Sequence, residues 1–171
     1  NTNWYNNRVG ITPSSLHSFL EGVLLMSAYD PDFLDGFLLP LPSFAPHLDE
    51  NIVRDDDLTE HYVADYVHYS LAMNGAPERR SAVYVALNVD QNKHKQTSRS
   101  NRWRIDSRIG GELQLDNAYY RNNDWDRGHM ARRTTAAWGD NAIDAQRASN
   151  ETFYYTNACL QHANLNQDEW L

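Results

Sequence analysis

Cysteine is nearly absent from this chain of 171 residues: Cys159 stands alone, so no internal disulfide framework is available to hold the fold. That usage fits a reducing compartment and is compatible with a cytoplasmic location. Long hydrophobic runs are lacking as well. The longest early one, residues 22–29, is far short of the ~20 apolar residues a bilayer helix needs, and no basic stretch precedes it. Both observations argue against a membrane span or a signal peptide. The first residue is Asn rather than Met, as expected of a processed or trimmed chain. Net positive charge is missing too. At −8, the whole molecule is unsuited to indiscriminate binding of polyanions. Internal repeats are absent, and no low-complexity tract follows the Asn-rich start.

What is there instead is a sharp segregation of charge. Residues 1–78 carry two basic groups, Arg8 and Arg54, against twelve acidic ones, for −10. Residues 79–133 reverse the balance, twelve basic against six acidic, for +6; residues 134–171 return to −4. A local positive field of this kind recruits phosphates even when the molecule as a whole repels them. With 41% hydrophobic residues, the chain is long enough to bury a core of one domain with an appendage.

The pattern of apolar residues divides the chain near residue 50. Ser14 and Ser15 cap a predicted helix in which Leu16, Phe19, Leu20, Val23 and Leu24 share one face to about Met26. Phe33 to Leu39 suggests a short apolar turn, after which Pro40, Pro42 and Pro46 break regular structure. A linker over about 40–58 closes with Asp55, Asp56 and Asp57. From His61 to Met73 the β-branched and aromatic residues predict a strand; Asn74 to Pro77 a turn; and Val83 to Val89 a second strand, pairing as a hairpin whose loop carries Arg79 and Arg80. Residues 91–101 read as a loop, and Leu113 with Leu115 as a short strand. Ala142 to Arg147 is weakly helical, Thr152 to Thr156 strand-like, Asn157 to Gln161 a loop, and Asn164 caps a final helix.

The chemistry gathers in the cationic third, in the run Asp126-Arg127-Gly128-His129, set between Asn122 and Arg133. Histidine, with an ordinary pKa of about 6.5, is a base that is largely neutral near pH 7. Arginine stays charged and grips phosphate through a planar fork. Gly128 permits a close approach of the backbone or a positive φ. Base, clamp and close approach together point to phosphodiester chemistry. His61, His68, His94 and His162, outside any motif, read as structural or solvated, and Trp125 and Trp138 as packing residues. Arg132 and Arg133 suit a phosphate contact or a solvated turn equally well.

Asp126 to Ala131 resembles the signature of the DNA/RNA non-specific endonucleases, the ββα-metal nucleases that include Serratia nuclease and mitochondrial endonucleases. Asn157 with Gln161, then Asn166 and Trp170, resembles the second half of that signature, with the family's nine-residue step from Asn157 to Asn166. The resemblance covers roughly residues 51–171. It implies an α+β fold with the histidine on a strand facing an asparagine on a helix, behind a helical extension and acidic linker over residues 1–50. It further implies a sugar-nonspecific endonuclease acting on DNA, and in second place RNA, with one Mg²⁺ (or an ion such as Mn²⁺) held by Asn166. His129 is then the general base and Arg127 the stabiliser of phosphorane charge, with Asp126 counted among the catalytic residues. Arg99, four residues before Trp103, becomes the second clamp, with Arg102 as fallback. Arg132 and Arg133 are weaker substrate contacts, and Asn157 and Gln161 support the metal's water shell.

The sequence departs from the family in three places. Leu160 stands where proline is usual, no glutamate follows Trp170, and the domain's second half is absent. These departures imply either a complementary chain that completes the fold or a chain that continues past Leu171; an activator is a further expected partner, and a rival stays open: a catalytically silent or partner-activated nucleic-acid-binding module. The acidic 1–50 segment is expected to shield the basic groove.

Overall fold

The computed structural model describes residues 28–169, so the helix expected over residues 14–26 lies outside the described residues. The fold is α+β. Three antiparallel strands, β1 (Ala64–Tyr66), β2 (Tyr69–Asn74) and β3 (Ser81–Leu87), form one sheet in that order. A second antiparallel pair joins β4 (Trp125–His129) to β5 (Ala158–His162). Short helices intervene: α1 (Pro46–Asp49), α2 (Arg133–Ala136) and α3 (Ala142–Glu151). A π-helical turn, Leu165–Glu169, follows β5. Among the described residues no helix is long and apolar enough to cross a membrane.

Every residue of β2 is buried: Tyr69, Leu71 and Met73 line its apolar face, and Ser70, Ala72 and Asn74 the other. Tyr69, Leu71 and Met73 join Val53, Leu58, Tyr66, Ile109 and Ala131 in the main core. The predicted hairpin is present as β2 and β3, with Tyr69 opposite Leu87 and a register shift at Ala72/Met73. The single strand expected over His61–Met73 is two strands, however. The chain reverses at Val67–His68, where His68 takes φ 70° and its imidazole stacks on Trp138 at 3.5 Å. Burial of a side chain, rather than a glycine or proline, makes that turn.

Three further expectations change. The linker ends earlier than residue 58: Ile52 and Val53 are buried, and the Val53 amide donates to the Met73 carbonyl at 2.9 Å, extending the sheet edge that β1 begins. Leu113 ends a 3₁₀ turn (Gly111–Leu113) rather than lying in a strand. The strand placed at Thr152–Thr156 lies instead at Ala158–His162, because Phe153 and Thr156 are drawn into the interior while β5, after the buried Ala158, alternates between half-buried and exposed positions. Tyr29 and Asp30 are anchored on Ser70 and Asn88.

α3 is the best-defined helix. Asn141 caps it, accepting from the amides of Ile143 and Asp144 at 2.9 and 3.0 Å, and Ala145, Ala148 and Ser149 form its buried stripe. The helix carries the chain directly to Phe153, which lies under the candidate site.

Candidate active site

His129 is the last residue of β4 and pairs with Ala158, the first residue of β5. The turn that follows it is fixed by one side chain. Asn157 is fully buried; its Oδ1 accepts from the Ala131 amide at 2.7 Å, and its Nδ2 donates to the Ala131 and Thr152 carbonyls, each at 3.0 Å. Its backbone carbonyl also accepts from the Met130 amide. Every side-chain hydrogen bond that Asn157 makes among the described residues goes to backbone. It thereby supports the site through the chain leaving His129.

The imidazole of His129 lies among aromatic rings, 4.7 Å from Trp103 and 5.0 Å, edge to face, from Phe153. Two backbone bonds deliver Trp103 there: the Arg104 amide donates to the Phe153 carbonyl at 3.0 Å, and the Tyr155 amide to the Arg104 carbonyl at 2.9 Å. Nε2 of His129 is buried and has no hydrogen-bond partner among the described residues. Burial, together with the cations Arg99, Arg133 and Arg127, lowers the pKa of His129 to about 4. At neutral pH the ring is uncharged.

A cavity of about 360 Å³ opens beside the ring, lined by Asp126, Arg127, His129, Arg99, Arg132, Arg133 and Asn166, with Trp103, Asn101, Thr134 and Gln167 completing the wall. Four guanidinium groups against one carboxylate make it electropositive inside an acidic molecule. Arg99 arrives on a loop held to α3: the Ser98 amide and hydroxyl both donate to Gln146 Oε1, and Gln146 Nε2 donates back to the Ser98 carbonyl. Arg133 ties that loop from the other side, through Thr97 Oγ1 at 3.0 Å. Arg102, the fallback for Arg99, is exposed and does not line the cavity.

Arg127 has a two-point mount that no motif announced. Its Nη1 donates to Asn117 Oδ1 at 2.9 Å, and its guanidinium carbon lies 5.6 Å from the centre of the Trp103 ring. Asn117 opens a 3₁₀ turn, Asn117–Tyr120, capped by Asp116, and nothing in its local sequence distinguishes it from any other surface amide.

Gly128 is not in the left-handed region. Its lack of a side chain serves a close cross-strand approach instead: a Cβ there would collide with the Gln161 side chain, whose Cβ would be 2.6 Å away. Gln161 is accordingly occupied against Gly128 and is not among the residues lining the cavity.

Asn166, in the π-helical turn, donates from Nδ2 to Asp126 Oδ2 at 3.0 Å, and Gln167 Nε2 donates to the same oxygen at 2.7 Å. A carboxylate can only accept, so the amide nitrogen must face Asp126 and Oδ1 is the end left over. Among the described residues no group of three or more His, Cys, Asp or Glu side chains could hold a metal ion. The donor set is therefore not a cage for a soft metal. An amide oxygen backed by a carboxylate fits a hydrated Mg²⁺, which needs few protein oxygens. None of residues 28–50 lines this cavity, so the shielding expected of the acidic segment is not made by its described part.

A family model described as DNA/RNA non-specific endonuclease matches residues 53–171. Over 117 residues the chain is 36% identical to the uncharacterized protein y4fB of Sinorhizobium fredii, covering 63% of this chain and 18% of that protein. Over 96 residues it is 30% identical to human mitochondrial endonuclease G, covering 55% of this chain and 30% of the relative. Among solved structures it is similar to the EndoG/EndoGI complex, a structure of EndoG inhibition, at 25% identity and a TM-score of 0.45, covering 63% of this chain and 43% of that one. The chain thus spans less than a third of the length of the curated relatives it matches.

Proposed function

The chain belongs to the DNA/RNA non-specific endonuclease family, and we propose from that premise that it is a divalent-metal-dependent endonuclease. It would hydrolyse phosphodiester bonds of DNA, and of RNA as a second substrate. The observation that carries this reading is the meeting of a neutral imidazole, four arginines and the Asp126-held amide of Asn166 around one cavity.

Each residue has work that its surroundings suit. Because Nε2 of His129 is sealed in the aromatic box, Nδ1 is the nitrogen that takes the proton from the attacking water. Lowering the pKa weakens the base but keeps it deprotonated among cations, and it remains in its working form across the neutral range. Arg127, fixed before substrate arrives, meets the charge that builds on the phosphorus oxygens; such a preorganised donor is worth about 3–4 kcal/mol of barrier in comparable sites. Arg99 grips the same phosphate from the opposite loop, and Arg132 and Arg133 lie where neighbouring phosphates would pass. Asn166 would hold the metal through Oδ1 with Asp126 behind it, and Mg²⁺ bound there would supply Lewis-acid stabilisation of the phosphate and the leaving oxygen.

Digestion of supercoiled plasmid with Mg²⁺ and with EDTA, comparing the intact chain with His129→Ala, tests the reading. Metal-dependent nicking that His129→Ala abolishes is the expected result. Binding without cleavage in either condition would replace it with a silent nucleic-acid-binding module, and cleavage only after a partner is added would make the chain one part of an assembled nuclease.

A further inference from the structure

We propose that Trp125, with Tyr119 tied to it through Asn123, is a nucleobase-stacking subsite that delivers an unpaired nucleic-acid strand to Arg127; the inference rests on the nuclease reading and names the form of its substrate. Trp125 is the first residue of β4 and is 44% exposed, although its size and sequence setting mark it as a packing residue. Side chains on a strand alternate, so Trp125, Arg127 and His129 fall on one face. Two residues of strand advance about 7 Å, the scale of a single nucleotide step. An exposed indole is therefore set one step from the guanidinium assigned to the scissile phosphate.

The ring is supported without being covered. Its cross-strand partner His162 meets it at 5.7 Å and nearly at right angles, 85°, rather than stacking flat upon it. Asn123 holds the backbone in place, accepting from the Trp125 amide at 3.0 Å while donating to the Tyr119 carbonyl at 2.9 Å. One side-chain amide thus ties together the backbones of two exposed aromatics, since Tyr119, in the 3₁₀ turn before β4, is also 44% exposed. Tyr119 in turn receives a hydrogen bond from Arg80 at 2.6 Å, with the guanidinium carbon 5.9 Å from its ring.

Arg80 against Tyr119, and Trp125 two residues before Arg127, thus give two cation-and-aromatic pairs whose backbones Asn123 joins. Interleaved aromatics and basic groups are what single-stranded nucleic acid requires, because every base offers a π-face and the backbone offers its phosphates. In a duplex those faces are already stacked on one another. The arginines of the cavity grip phosphate in any strand, whereas the aromatic pair can be used only by bases that have left the stack. Stacking reads no hydrogen-bonding edge, so the selection is for unpaired structure and not for sequence, and it extends to DNA and RNA alike.

The test uses the full chain in EDTA, where no cleavage interferes, and measures anisotropy of a labelled oligothymidylate against an abasic deoxyribose-phosphate strand of equal length. Wild type should bind the base-bearing strand about 5- to 100-fold more tightly than the abasic one, the range that one stacked base supplies. Trp125→Leu, which keeps apolar bulk without a π-face, should remove most of that ratio while leaving abasic binding unchanged; Trp125→Phe should retain it. A ratio unchanged in Trp125→Leu, or equal losses on both strands, overturns the proposal. Thermal melting identifies a variant that has unfolded; Trp125→Gln, which also lacks a π-face, then takes its place, and wild-type affinity equal for oligothymidylate, abasic strand and duplex overturns the proposal by itself. Cleavage by wild type with an intact ratio in Trp125→Leu sinks the subsite but not the nuclease; base-dependent binding without cleavage sinks the nuclease but not the subsite.

Discussion

Asp126 and Asn166, forty residues apart in sequence, are joined by a 3.0 Å hydrogen bond from the asparagine amide to the carboxylate. That bond decides which end of Asn166 is presented. Without it the amide can turn over, offering a cation its nitrogen instead of its oxygen. Asp126→Ala should therefore raise the Mg²⁺ concentration needed for half-maximal cleavage by about 10- to 100-fold, the usual penalty for removing a group that orients a metal ligand. Gln167→Ala, which removes only the neighbouring bond to the same oxygen, should change it much less. A metal titration in which the two variants behave alike would mean that Asp126 does not orient Asn166.

The depressed pKa of His129 has a consequence for stability that is separable from catalysis. The unfolded chain binds a proton at this histidine below about pH 6.5, whereas the folded protein does not until about pH 4. The stability contributed by this difference is complete above pH 6.5 and is lost as pH falls toward 4, about 3 kcal/mol in all. Denaturant unfolding at pH 7, 5.5 and 4.5 should show wild type weakening more steeply than His129→Gln. In activity, kcat/KM of the free enzyme should hold through pH 6 and fall only on approach to pH 4, where the ring takes up its proton. Parallel stability curves for the two proteins would show that burial of this ring has little influence on its titration.

How much of this site is written locally varies from residue to residue. Arg127 and His129 stand two residues apart in one motif, and one strand face carries both, so their chemistry can be read from spacing. Arg99 depends on counting back from Trp103, and the reason Trp103 arrives is not local at all: it is a pair of backbone bonds to Phe153 and Tyr155. β5 is obscure because Ala158 to His162 has small and polar residues where a strand usually has β-branched ones, while the strand-like Thr152 to Thr156 is taken by the interior. The reversal at His68 has no turn residue to announce it. Asn157 looks like a shell ligand in sequence and is a backbone clamp in space, since its partners Ala131 and Thr152 become neighbours only after folding. Trp125 is the opposite case, a residue with core composition and an exposed place.

Asn117 should act through Arg127. Asn117→Ala frees the guanidinium from its 2.9 Å anchor while the Trp103 ring remains, so kcat should fall by about 10-fold, with little change in KM or in melting temperature. Asn117→Asp keeps the shape but gives Arg127 a permanent counter-charge, competing with the phosphate; it should be the more damaging variant, lowering kcat further and raising KM. Steady-state kinetics on a short fluorogenic oligonucleotide distinguish the two. Equal activity in Asn117→Ala and Asn117→Asp, with equal losses of stability, would reduce this residue to a packing role.

Gly128 offers the most severe test of how closely β4 and β5 approach. In Gly128→Ala the new methyl group would meet the Gln161 Cβ at 2.6 Å, well inside van der Waals contact, in addition to the amide end of that side chain. Were the collision only with the flexible end, truncating Gln161 to alanine would relieve it. Because the Cβ itself is struck, Gly128→Ala/Gln161→Ala should remain impaired, and the two strands must part by a few tenths of an ångström or more. His129 pairs with Ala158 one step along, so any parting carries the imidazole away from Trp103 and Phe153. The expected outcome is a loss of stability of about 1–3 kcal/mol, as for other overpacked interiors, with a larger proportional loss of cleavage than of nucleic-acid binding. Gln161→Gly in the Gly128→Ala background removes the struck Cβ and should recover part of both. Full recovery in the Gln161→Ala double variant would show instead that the side-chain end, not the strand spacing, fixes glycine at this position.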